Sequence, residues 1–113
     1  MSKSIVFEYK DKEYTLEFTP ASIRAMERAG FVAEDMEKKP MTVLPDLFAG
    51  AFRANHSNVK REKIDEIYAQ MNGKPKLVRA LIEMYNDVIA AFLGNEDEDE
   101  GNANWTPSWE MKD

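Results

Sequence analysis

The sequence predicts an α+β domain, an N-terminal β-hairpin followed by four or five helices, with an acidic C-terminal tail expected to be disordered. Three observations predict it. Apolar residues recur every second position between Ile5 and Phe18, they recur at helical spacing from Ile23 to Phe92, and charge of one sign accumulates after Asn95. The expected organisation is one domain over residues 1–94 and a tail over residues 95–113 that carries two tryptophans.

Ile5, Phe7 and Tyr9 alternate with Val6 and Glu8, and Tyr14, Leu16 and Phe18 alternate with Thr15 and Glu17, so each strand offers one apolar face. The polar residues 10–13 are expected to turn one strand into the other. Thr19 stands where a helix N-cap belongs, Pro20 fits the first helical position, and Gly30 fits a left-handed stop. A two-stranded sheet alone is marginal in water, so a helix must cover it.

Residues 32–38 are expected to form a short helix ended by Pro40, with Glu34 and Asp35 near its start and Lys38 and Lys39 near its end, as the helix dipole favours. Val43, Leu44, Leu47, Phe48, Ala51 and Phe52 then repeat at helical spacing, marking a central core helix over residues 42–55. Pro45 is expected in its first turn. Ile64, Ile67, Tyr68 and Met71 form the stripe of a half-buried helix whose other face is charged. Asn72 and Gly73 stop it, and Pro75 opens a long helix with Leu77, Val78, Leu81, Ile82, Tyr85, Val88, Ile89 and Phe92 on one face, ended by Gly94.

Of 113 residues none is cysteine, which removes disulfides, thiolate metal ligation and thiol catalysis. The chain opens without an apolar signal core and has no apolar run of bilayer length, so a cytoplasmic, membrane-free protein is expected. Residues 1–94 hold 14 acidic and 14 basic side chains, whereas residues 95–113 hold seven acidic and one basic, so the net charge of −6 lies in the tail. A neutral body with an acidic tail lacks the basic footprint that phosphate backbones require, and no nucleic-acid partner is expected.

Catalytic and cofactor patterns are equally lacking. His56, the single histidine, lies between two helices with no second histidine or cysteine to share a metal, and is expected to face solvent in a loop. Ser57 beside it belongs to no nucleophile elbow. Asn95, Asp97 and Asp99 alternate like a calcium loop, but Glu100 occupies the glycine position and Thr106 the closing glutamate position. With no glycine-rich phosphate loop either, neither a cofactor nor a metal is expected and the chain is not read as an enzyme. Gly50, inside the core helix, marks either close helix packing, the more ordinary role, or the approach of a partner. Met26, Met71 and Met84 fall on or near apolar stripes, where core filling is their ordinary role and lining an adaptable groove for apolar helices the alternative.

Trp105 and Trp109 stand apart, since two indoles in a charged tail leave apolar area exposed unless something covers it. Either they fold back onto the domain's own surface or they anchor a partner, with residues 96–100 as a solubilising spacer. Candidate receiving surfaces are the helix over residues 42–55, through Phe48 and Phe52, and the edge of the hairpin by strand addition.

The hairpin Ile5, Val6, Phe7, Glu8, Tyr9 with Tyr14, Thr15, Leu16, Glu17, Phe18, the helix end Met26, Glu27 and Gly30, and the tail Asn104, Trp105, Thr106, Pro107, Ser108, Trp109 together resemble a family of small proteins. These are encoded in the tail-gene clusters of phages and prophages of Gram-positive bacteria, are often catalogued only as a domain of unknown function, and are similar to tail assembly chaperones. The resemblance implies a noncatalytic protein in the bacterial cytoplasm that binds the tape-measure protein, keeps its apolar helices soluble and is displaced as tail-tube subunits polymerise. It also implies many copies on one client, hence self-association, and often a longer product made by ribosomal frameshifting. The matched motifs are structural, so the candidate partner-binding residues, Trp105, Trp109, Phe48 and Phe52, come from the reading of the chain itself. The alternative from another class is an acidic phage-encoded inhibitor or adaptor that binds a host protein; it would need negative charge on the folded surface, and the body is balanced.

Overall fold

The computed structural model describes residues 3–94. Strands β1 (Ile5–Tyr9) and β2 (Lys12–Leu16) form a two-stranded antiparallel sheet with Ile5 opposite Leu16 and Tyr9 opposite Lys12. Helices α1 (Pro20–Arg28), α2 (Pro40–Arg53), α3 (Arg61–Gln70) and α4 (Lys74–Leu93) come next. The expected architecture of a hairpin and then four helices is therefore present.

The hairpin turns on two residues rather than the expected four. Lys10 and Asp11 both adopt positive φ, 51° and 66°, the backbone that matches the twist of the flanking strands in a two-residue loop. Neither is glycine, and the turn is held from outside. The Tyr9 hydroxyl donates to Glu66 Oε2 on α3 at 2.8 Å, and Lys10 Nζ reaches the same oxygen at 3.4 Å. These donors, Tyr9 first, hold the Glu66 carboxyl below its ordinary value.

Helix α1 begins and ends as its residues dictate. Thr19 Oγ1 accepts from the Ser22 amide at 3.0 Å while Ser22 Oγ accepts from the Thr19 amide at 2.9 Å, a reciprocal capping box. At the other end Gly30 N donates to Glu27 O and Phe31 N to Met26 O, each at 3.0 Å, with Gly30 at φ 104°. This is a Schellman stop, and the buried Met26 and Phe31 supply its apolar pair.

Two expectations are corrected in the next segment. Residues 32–38 do not form an α-helix; only a 3₁₀ turn appears, Ala33–Met36. Pro40 disfavours helical backbone at Lys39, which takes φ −131°, and so separates this turn from α2. Pro40 then occupies the first position of α2, which starts two residues earlier than expected and leaves Pro45 in its second turn. The Met41 carbonyl thereby loses its helical donor, and Met41 is 89% exposed, where water can serve it.

Helix α2 is the centre of the domain and packs against β2, α1, α3, α4 and the 3₁₀ turn. Leu16, Phe18, Leu47, Phe48, Phe52, Ile67 and Leu81 are the largest fully buried side chains of this core. Phe48 and Phe52 pack edge to face at 5.2 Å, and Phe52 continues to Tyr14 at 5.5 Å and Phe7 at 6.3 Å, binding the hairpin to the helices. Gly50 sits where α2 crosses α1, and a Cβ there would overlap Sδ and Cε of Met26. Its role is close packing. Gly50→Ala is expected to lose about 1–3 kcal/mol to overpacking, offset by about 1 kcal/mol of helix propensity. Chemical denaturation of Gly50→Ala, Met26→Ala and the double variant checks it, because trimming Met26 should make the alanine at residue 50 favourable.

Candidate functional site

From Thr15 onward the outer edge of β2 and its continuation is covered by the end of α2 and the segment that follows it. The Thr15 amide donates to His56 Nε2 at 2.9 Å, the Glu17 amide donates to the Ala51 carbonyl at 3.0 Å, and Asn55 Nδ2 donates to Glu17 Oε1 at 3.1 Å. His56 is therefore half buried and not the solvent-facing loop residue expected. Its ring also packs on Tyr14 and Phe52, at 5.2 and 5.9 Å between centroids. With Nε2 accepting, the ring proton sits on Nδ1, and the imidazole acts as a structural cap. His56→Ala is expected to cost about 1–3 kcal/mol, since it strands the Thr15 amide; a shift in urea midpoint with unchanged slope checks this. Strand addition, a candidate for the hairpin edge, is thus opposed at β2 from Thr15 onward, whereas no backbone hydrogen bond among the described residues covers the outer edge of β1.

Phe48 and Phe52, offered as partner-binding residues, have no exposed surface. They form the core, and a partner cannot touch them on the folded domain, because the apolar stripe of α2 is wrapped from all sides. Trp105 and Trp109 lie outside the described residues. Met26 and Met84 are core residues as expected, and Met71 is half buried at the end of α3.

The apolar surface that does reach solvent lies elsewhere, between α1 and the last turns of α4. Helix α4 has 20 residues and α2 has 14, so α4 extends about 9 Å further at 1.5 Å per residue. Its stripe consequently runs past the core: Leu81 is fully buried, Val88 and Ile89 are half buried, and Phe92 and Leu93 are 65% and 74% exposed. Pro20, Ile23, Arg24 and Glu27 of α1 face these residues across a cleft of about 310 Å³. The Arg24 guanidinium lies 5.6 Å from the centre of the Phe92 ring, which desolvates one face of the ring and leaves the other open.

Phe18 and Phe31 both pack edge to face on Tyr85 at 5.6 Å, fixing α4 to the strand and to the end of α1. Burial, with Glu27 and Glu34 nearby, holds the Tyr85 hydroxyl above its ordinary value. On the other side of α4, Lys3 pairs with Glu83 at 2.7 Å and Asp87 at 2.9 Å, anchoring the start of the chain to the helix. Such a cleft can receive an apolar ridge, a helix face or aromatic side chains, with Arg24 able to meet an acidic group at its rim.

The sequence places Phe92 on the apolar face of α4 but does not single out Leu93, Ile23 or Arg24. The available signal is length: the last helical pattern outruns the central one it packs along, so its end has to project.

A second depression of about 340 Å³ lies between the end of α1, α2 and the start of α3, lined by Met26, Phe31, Gly50, Arg53, His56 and Arg61 among others. Arg61 there is engaged with Asp46 and Asp65, both at 2.8 Å. Among the described residues no cluster of three metal-ligating side chains occurs, and no helix is long and apolar enough to cross a membrane.

A family model described as a domain of unknown function, DUF5055, matches residues 1–109. No curated protein and no solved structure matches the chain.

Proposed function

We propose that this chain, which belongs to the DUF5055 family, is a noncatalytic tail assembly chaperone of a phage or prophage of Gram-positive bacteria, acting in the host cytoplasm. Its client is the tape-measure protein, whose long apolar helices it keeps soluble until tail-tube subunits displace it. The observation that carries this reading is the cleft between α1 and α4, where Phe92 and Leu93 project beyond the core. A client helix laid against them would bury its apolar stripe, in the manner of helix-in-groove recognition. The cleft is small, so one contact is weak. Affinity then comes from many copies along one client, each further contact benefiting from the high effective concentration of the assembled array.

Co-expression with the large tape-measure protein from the same genome tests the reading. The client is expected to become soluble and to co-purify only when this chain is present. A client that stays insoluble and unbound would overturn the proposal. Truncation after Gly94 reports separately whether Trp105 and Trp109 contribute to that contact.

A further inference from the structure

We propose that residues 95–113 return onto the domain that carries them and seat Trp105 and Trp109 in the cleft between α1 and α4. The proposal stands without the client, and four observations support it.

The first is position. The described chain ends at Gly94, next to Leu93 on the cleft lip, and Gly94 takes φ 89°, which ends α4 there. The second is reach. The residues between Gly94 and Trp105 span up to about 35 Å when extended, whereas the cleft side of α4 from Val88 to Leu93 spans only about 8 Å. An occupant from the same chain needs no strained connection.

The third is chemistry. The cleft offers half-buried Val88 and Ile89 and exposed Phe92 and Leu93, and each indole brings about 150–250 Å² of apolar surface to bury. The fourth is charge. Among the described residues no carboxylate lies within ion-pair distance of Arg24 or of Arg28 one turn on, whereas Arg61 holds two. Arg24 is the basic side chain of the cleft lining and Glu27 the acidic one, and the two are not paired. Residues 96–100 are all acidic, and they lie between the cleft lip and the tryptophans in the chain. Tethering favours the tail of the same chain over that of a second copy, because a short linker holds its effective concentration near millimolar.

Trp105 and Trp109 are the only tryptophans, so intrinsic fluorescence excited at the indole band reports this segment and nothing else. The full-length chain is expected to show blue-shifted emission, shielded from acrylamide and unchanged across a dilution series. Phe92→Glu and, separately, Leu93→Glu should return emission and quenching to those of free indole, with helical circular dichroism retained because both side chains are exposed. Arg24→Glu should shift emission part of the way, as should high salt on the unaltered chain. Solvent-like emission in the unaltered chain would overturn the proposal. So would a blue shift that both cleft variants leave intact, which would put the indoles elsewhere, or one that fades on dilution, which would assign the contact to a second copy.

Discussion

Replacing Phe52 with alanine is expected to destabilise the domain by about 3–5 kcal/mol, the cost of deleting a buried phenyl ring and leaving its cavity. The ring has no exposed surface and touches Phe7 and Tyr14 of the hairpin, Phe48 of its own helix and the capping His56. No neighbour can collapse into the space alone, because each is fixed by another ring. Against a total stability of about 5–15 kcal/mol for an ordinary domain, the variant should lose much of its margin. Guanidinium denaturation of the unaltered and Phe52→Ala chains measures it directly. A cost below about 1 kcal/mol would mean that the ring is not packed as described.

The opposite pattern is expected at the other end of the molecule. Apart from the tail contact proposed above, the double variant Phe92→Glu, Leu93→Glu should leave the stability of the domain within about 1 kcal/mol, since both residues are largely exposed and, among the described residues, the Arg24 contact with Phe92 is what is lost. If the cleft receives the client, the same variant should abolish client solubilisation. Losing an aromatic anchor costs about 2 kcal/mol or more per contact, or roughly thirtyfold in affinity. An array of weak contacts multiplies that loss. Co-expression yield of soluble client, read beside the melting curve of the purified variant, separates a binding defect from a folding defect. Full activity of a stable double variant would move the client to another face while leaving the fold unaffected.

These two results would also mark how far the sequence can be read. The hairpin, the cap at Thr19, the stop at Gly30 and the stripe of α4 are legible because each is a local pattern: an alternation of period two, a side chain beside its own backbone, or a helical repeat. The start of α2 is misplaced by sequence reasoning because Pro40 and Pro45 both suit a first turn, and only the packing of Val43 and Leu47 decides between them. The candidate site is less legible. Phe48 and Phe52 are large and aromatic, as anchors are, but composition cannot say whether an aromatic faces a partner or its own core. His56 reads as a solvent residue because its partner, Thr15, is 41 positions away in sequence. The cleft depends on two helices unequal in length, a property of the assembled domain rather than of either segment.

The unequal edges of the hairpin set a limit on what the sheet can build. His56, Asn55 and Ala51 occupy the outer backbone groups of Thr15 and Glu17, leaving only Glu13 beside the turn, so among the described residues β1 has the one continuous edge to offer a neighbouring strand. A unit with one such edge has a valence of one. Two copies that meet through β1 produce a four-stranded sheet whose ends are both already sealed, and a third copy finds nowhere to add. An array of the described domain along a filamentous client is therefore expected to propagate through surfaces other than its sheet, and runaway β-polymerisation is opposed by the residues that end its central helix.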